Sequence, residues 1–592
     1  VNLTHRNWTS VGIPGEESLP VVDPRGLVMP FQDSWSLDVW VVGNDEASLL
    51  PSNEKDVSQD MITENGTAVR TECRNDSAAL QTTTCCGFEQ GRLDCVTEVR
   101  AEVPEDAHVA VSLRPCNPEG ISFIHEVSTL SHGLGWDVNN EHRVLFSEKP
   151  ETNLFANYRE GDVFQKIKSR TDSSRDKISC NVGMATSAAL FSPDAEGKVS
   201  IAVRVPLQDV SERAADNGES VRVRWRNALE PQCRISVPDA SFCRLYEKTI
   251  RTLIMQSPSD VYAGPFTYKR FWFRDAAFIL HAMLLTGFSR RVEKIIDRFM
   301  DRQKYSGYFE SQKGEWDSNG QVLWIIRRFC EVTGRPLKED WIKPVLNGAE
   351  WIRKKRLGNE EDSPHAGLMP PGFSAEHLGP SDYYYWDDFW SVEGLRSAGL
   401  LLENTTEAER ADGYHSEADV LMTAILKSFE KACPDKSDRR IPASPYRRMD
   451  SGAIGSLAGG YPLDLFGDSD PAILNTAEYL YDQHFQDDLF FHDITHSGMN
   501  PYLTLHTAQV FLKAGKADTF FRIFKAVTNA ATSTGTWPEA IHPYTRGGCM
   551  GDGQHGWAAS EWLLALRDAL VRTERNSIVL RSEEHTSELQ SL

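Results

Sequence analysis

Several stretches of this 592-residue chain set carboxylates beside aromatic rings. In Thr536-Trp537-Pro538-Glu539-Ala540-Ile541-His542-Pro543 one carboxylate follows a stiff Trp-Pro pair. A ring face for a sugar and a carboxylate to activate water are what hydrolysis at a glycosidic carbon needs. In Asp382 to Trp390, Asp387 and Asp388 are adjacent and hemmed in by Tyr385, Trp386 and Phe389. Charge is costly in such surroundings, so one carboxyl should keep its proton and serve as an acid. Capping of the following helix is the other role open to them.

Two further stretches suit binding. Tyr268 to Asp275 brings Trp272, Arg274 and Asp275 to a helix start, where Asp accepts from sugar hydroxyls and Arg donates; an N-cap by Asp275 is the plainer role. Trp316 and Asp317 pair a stacking face with a hydroxyl acceptor, or Asp317 caps the next helix. His555 lies in a Gly-rich entry to the last helix that lacks the Lys-Ser/Thr of a phosphate loop. Ser444 to Gly452 is a polar loop able to touch substrate. His492 and His496 are four apart, but no Glu follows His492 and no third ligand is evident. Neither a metal nor an organic cofactor is expected.

These stretches need a scaffold. Residues 1–235 read as a β-sandwich, with alternation in 108–113, 198–205 and 220–225 and no strong helix. From Asp239 the apolar period becomes helical. Twelve segments are expected, near 239–256, 274–287, 289–304, 318–334, 339–357, 389–402, 406–433, 450–459, 470–483, 500–513, 516–532 and 556–573. Short and long connections alternate. Short turns join antiparallel neighbours, so helix pairs closed into an (α/α)6 toroid over 236–575 would gather every long loop at one mouth. All the stretches above lie in, or at the end of, long loops. Residues 576–592 form a tail, of which 581–592 resembles a translated sequencing adapter and is set aside.

Composition bounds the partners. A net charge of −22 argues against nucleic acid. No apolar run is long enough to span a bilayer. Eleven cysteines at irregular spacing argue against a disulfide framework. No export signal is read, so a cytoplasmic location is expected. Composition says nothing of oligomeric state.

Residues 240–575 resemble the glucoamylase-type glycoside hydrolases of family 15, whose bacterial members also carry an N-terminal β-sandwich. Phe273-Arg274-Asp275 after Trp272 is similar to the family's Trp-x-Arg-Asp element, which implies that Arg274 and Asp275 hold the terminal glucosyl unit. Trp386-Asp387-Asp388 is similar to its Trp-Glu-Glu element, which implies Asp387 as acid and Asp388 as an auxiliary contact. Trp537-Pro538-Glu539, with His555-Gly556-Trp557 after it, is similar to the base element and implies Glu539 as base. Asp stands for Glu at the acid, and Ala540 stands where Gln is usual. The expectation is an inverting, exo-acting hydrolase of α-glucosides acting on oligosaccharide or polysaccharide. The alternatives are a trehalase-like hydrolase, a phosphorylase using Arg546 and His555, a toroidal lyase, or a non-catalytic carbohydrate-binding protein.

Overall fold

A computed structural model describes residues 6–43, 48–169, 175–207, 220–359, 362–373, 381–433, 439–494, 497–574 and 577–580. The adapter-like residues 581–592 and His496 lie outside them.

The N-terminal half is two antiparallel sheets. One has seven strands, in the order Thr9–Ser10, Val21–Val22, Val28–Met29, Ser36–Val42, His108–Arg114, Thr186–Phe191, Thr152–Ala156. The other has nine, centred on the long strands Ala79–Glu89, Arg92–Glu102 and Lys198–Pro206. Val199, Ile201, Val203 and Val205 alternate inward from the last of these, as a half-buried strand requires. They meet Val39, Val109 and Val111 of the other sheet in one core. Every cysteine is a free thiol.

Two expectations for this half need correcting. Val163–Ser169 is a helix, α1, and the stretch at 220–225 is not a strand but the start of helix α2, Val221–Leu229. Ser220 caps α2 by accepting from Val223 N. The Val-Arg alternation is too short to separate a two-residue from a 3.6-residue period. Trp225 is the residue of α2 that is buried, with Nε1–H donating to Gly12 O at 3.3 Å.

The C-terminal half carries α3 (Ala240–Met255), α4 (Phe273–Leu285), α5 (Ser289–Phe299), α6 (Ser318–Thr333), α7 (Glu339–Lys355), α8 (Tyr385–Leu402), α9 (Ala411–Ala432), a 3₁₀ segment (Ser451–Gly459), α10 (Pro471–His484), α11 (Pro501–Lys513), α12 (Ala517–Asn529) and α13 (Gly556–Leu570). They correspond to the twelve expected segments, the eighth being 3₁₀ rather than α. α13 stops at Leu570, short of the expected 573, and Val571–Glu574 pairs with Ser577–Leu580 as a hairpin.

The ring closes through α4, α6, α8, the 3₁₀ segment, α11 and α13, each packed on the next and α13 back on α4. The remaining helices lie outside this ring. The sequence sorts the two layers. α5 buries only Val292, Ile295, Ile296 and Phe299, one stripe at helical spacing, whereas α4 is buried from Phe273 to Leu284. Inner helices approach closely where glycines allow it: a Cβ on Gly320 of α6 would stand 2.1 Å from Trp390 O of α8. Among the described residues no helix is long and apolar enough to cross a membrane.

Candidate active site

Two carboxylate clusters flank the first turn of α4, which places Arg274 and Asp275 side by side. Trp272 is the N-cap residue of α4 and makes no side-chain cap, and Asp275 lies inside the first turn. The capping role considered for Asp275 is therefore not the one it plays.

Arg274 belongs to the first cluster. Its guanidinium pairs with Asp317 at 3.3 Å and Glu315 at 3.2 Å, all three buried. Asp317 stands at the start of α6 but makes no side-chain cap. Instead its Oδ2 also accepts from Trp386 Nε1 at 2.7 Å and Gln321 Nε2 at 2.8 Å. Trp386, Asp387 and Asp388 lie in the first turn of α8, which begins four residues earlier than expected at 389, and Tyr384, not an aspartate, is its N-cap residue. Asp388 Oδ1 accepts from Met369 N at 2.8 Å. Asp387 differs: both its oxygens are buried and have no hydrogen-bond partner among the described residues. Burial pushes its carboxyl well up, and the charges of Asp317, Asp388 and Glu315 add to this against the pull of Arg274. Asp388 is pushed up to about 8 by burial, opposed by the Met369 bond and Arg356. Gly372 lets backbone lie against Asp387, since a Cβ there would meet Asp387 Oδ2 at 2.6 Å and Trp316 Cδ1 at 2.7 Å. Trp316 is half-buried, with Lys355 Nζ 3.9 Å above its ring.

The second cluster surrounds Glu539. Tyr268 donates its hydroxyl to Glu539 Oε2 at 2.8 Å. Burial raises the Tyr268 phenol, and Glu539's charge and hydrogen bond raise it further, so Tyr268 remains a donor. Asp275 Oδ1 lies 3.6 Å from His555 Nε2. Burial works against a charged His555, but Asp275 and Glu539 outweigh it and its pKa is raised. Trp272 is half-buried beside Tyr268, with ring centroids 5.4 Å apart. Gly551 has φ +68°, and a Cβ there would fall 1.6 Å from Glu539 Oε2. The strand following Glu539, Ala540–Ile541, joins a small five-stranded sheet built from what the sequence reads as loops.

The structure thus gathers Arg274, Asp317, Trp386, Asp387, Asp388 and Trp316 on one side, and Trp272, Asp275, Glu539 and His555 on the other. Trp537 is not brought to either. Its ring is buried in the core beside Trp562, and Nε1 donates to Val527 O of α12 at 2.8 Å. Arg546 pairs with Asp487. His492 is buried, and among the described residues no three His, Cys, Asp or Glu side chains are grouped to hold a metal. A surface groove of about 710 Å³ along α9 includes none of the candidate residues. Tyr268, Glu315 and Asp552 belong to these clusters and were not singled out from sequence. The aromatic approach to Arg274 and the neighbourhood of Trp316 were the signals for the first two.

No family model matches the chain, and no curated protein matches it. Among solved structures it is similar to a bacterial glucoamylase crystallised with acarbose: TM-score 0.70, 13% identity, covering 95% of this chain and 94% of that one. It also matches glucoamylase from Saccharomycopsis fibuligera, with TM-score 0.43 and 14% identity over 57% of this chain and 96% of that one. A rhamnosidase from Klebsiella oxytoca matches with TM-score 0.47 and 11% identity over 86% of this chain and 96% of that one. The first likeness extends over both halves and establishes the fold: an N-terminal β-sandwich followed by an (α/α)6 toroid.

Proposed function

We propose that the chain is an inverting, exo-acting glycoside hydrolase that releases glucose or a related sugar from α-glucosides or oligosaccharides. Asp387 is the general acid and Glu539 the general base. The observation that carries the reading is the contrast between the two carboxyls. Asp387 is buried, without a hydrogen-bond partner among the described residues, and crowded by like charge, so it holds a proton to give. Glu539 accepts a hydrogen bond from Tyr268, which orients its carboxyl as a base needs. Asp387 donates its proton to the leaving glycosidic oxygen. Glu539 removes a proton from water as that water attacks the anomeric carbon from the opposite face. Inversion asks for carboxyls roughly 6.5–9.5 Å apart, with the water between. Arg274, Asp275 and Asp317 supply donors and acceptors for sugar hydroxyls, and Trp316 and Trp272 supply ring faces.

Phosphorolysis is less well supported, because it asks for several cations beside the base. Arg546 is engaged with Asp487, which leaves His555. The test is proton NMR of the first glucose released from the non-reducing end of maltotetraose, with and without phosphate. The reading predicts free β-glucose in both cases. Sugar phosphate would favour the phosphorylase, and initial release of α-glucose would exclude inversion. The similar bacterial glucoamylase was crystallised with acarbose, so acarbose is the inhibitor to try first.

A further inference from the structure

A short segment of the N-terminal half, residues 6–10, lies against the loop that follows the candidate base. Trp8 is buried, its ring edge-on to Phe266 with centroids 5.5 Å apart. It also lies against Gly553, where a Cβ would stand 2.6 Å from the indole. Trp8 Nε1–H donates to Asp552 Oδ1 at 2.8 Å. The other oxygen of that carboxylate accepts from the backbone N–H groups of Phe266 and Tyr268, each at 3.0 Å. The Asp552 carbonyl accepts from Glu539 N at 3.0 Å. Asp552 therefore fixes the backbone of Glu539 and that of Tyr268, the residue whose hydroxyl holds the Glu539 carboxylate.

The rest of the segment grips the same loop. Arg6 Nη1 donates to Gly551 O at 2.9 Å, and Arg6 N donates to Gly548 O at 3.2 Å. Asn7 Oδ1 accepts from Gly548 N at 3.1 Å, and Ser10 N donates to Gln554 Oε1 at 2.6 Å. Arg6 is braced by Glu119 at 2.7 Å, in the turn between strands Cys116–Asn117 and Gly120–Ile121. Gly551 sits directly against the Glu539 carboxylate, so a shift of this loop moves the base with it.

We propose that Trp8 and Arg6 are positioning residues for the base, so that the sandwich builds one wall of the active centre. The inference rests on Glu539 being the base of the proposed hydrolase. Its test pairs Trp8→Phe, which keeps an aromatic ring and removes the N–H donor, with the milder, more exposed Arg6→Met. Misplacing a reacting group by about 1 Å costs on the order of 100-fold. We expect kcat to fall roughly tenfold in Trp8→Phe and a few-fold in Arg6→Met, with KM within about twofold of wild type. The loss should be the same on α-glucosyl fluoride, because that leaving group bypasses the acid and not the base. A crystal structure of Trp8→Phe should show the Tyr268–Glu539 hydrogen bond broken. Wild-type kcat in both folded variants overturns the proposal. So does a loss that fluoride rescues, or a Trp8→Phe crystal that retains this bond. If the wild type turns over no glycoside, the proposed hydrolase falls, while the crystal structure still decides whether Trp8 sets the Glu539 carboxylate.

Discussion

Asp387 and Asp388 are neighbours in sequence with different surroundings, and only one is tied down. Asp388 accepts a backbone N–H; both Asp387 oxygens lack a partner among the described residues. Because the Asp387 carboxyl is raised by burial and by three neighbouring carboxylates, activity should fall as pH climbs through that raised value. This alkaline limb should vanish from the pH–rate profile of Asp387→Asn. Replacing Glu539 by Gln should lower kcat by about 10²–10⁴, the usual span for general base catalysis, as steady-state assays would reveal. Gly551→Ala tests the base from its other side. Its Cβ would collide with the carboxylate, and the left-handed backbone costs about 1–2 kcal/mol for alanine. A kcat loss of roughly 100-fold is expected, and near-wild-type turnover would contradict the placement of Glu539.

At the scale of elements, α4 and α8 bring the chemistry together through their first turns, which carry Arg274 and Asp275 on one helix and Asp387 and Asp388 on the other, all buried. The motifs were readable in sequence because each is local: Arg274 with Asp275, Trp316 with Asp317, Trp386 with Asp387. Their partners were not, because Tyr268 meets Glu539 across 271 residues and Arg274 meets Glu315 across 41. Trp537 misled because a Trp-Pro-Glu run looks the same whether its ring faces a ligand or, as here, the core. The stretch at 220–225 misled because Val-Arg alternation also fits the α2 stripe that buries Trp225. The first turn of α8 also has a stability consequence. Asp388 has a folded pKa of about 8 against an ordinary 3.8, so the folded state holds the extra proton. Its contribution is fully present below the ordinary value and is lost as pH rises towards the folded one. Asp388→Asn keeps an acceptor for Met369 without a charge. Its melting temperature should fall less than that of wild type between about pH 4 and pH 8, and parallel melting curves would contradict the assignment.

In the whole molecule the toroid was legible from alternating loop lengths, and its closure is seen in the unbroken ring from α4 to α13. The docking of the sandwich was not, since it depends on single side chains far apart in sequence. Arg251 of α3 is buried, donates to Gly66 O at 3.2 Å and lies 4.8 Å from the Trp225 ring centroid. Arg251→Met should therefore cost about 1–3 kcal/mol in denaturant unfolding. If the two halves are one cooperative unit, the variant will still unfold in a single transition. Two separated transitions would show that the halves are energetically independent.

The assignment of acid and base is tested most directly by α-glucosyl fluoride, whose leaving group needs little protonation. The account predicts that Asp387→Asn, crippled on maltose, recovers most of its turnover on the fluoride, while Glu539→Gln stays as impaired on the fluoride as on maltose. Rescue of neither variant, or the acid's pattern appearing in Asp388→Asn instead, would contradict it.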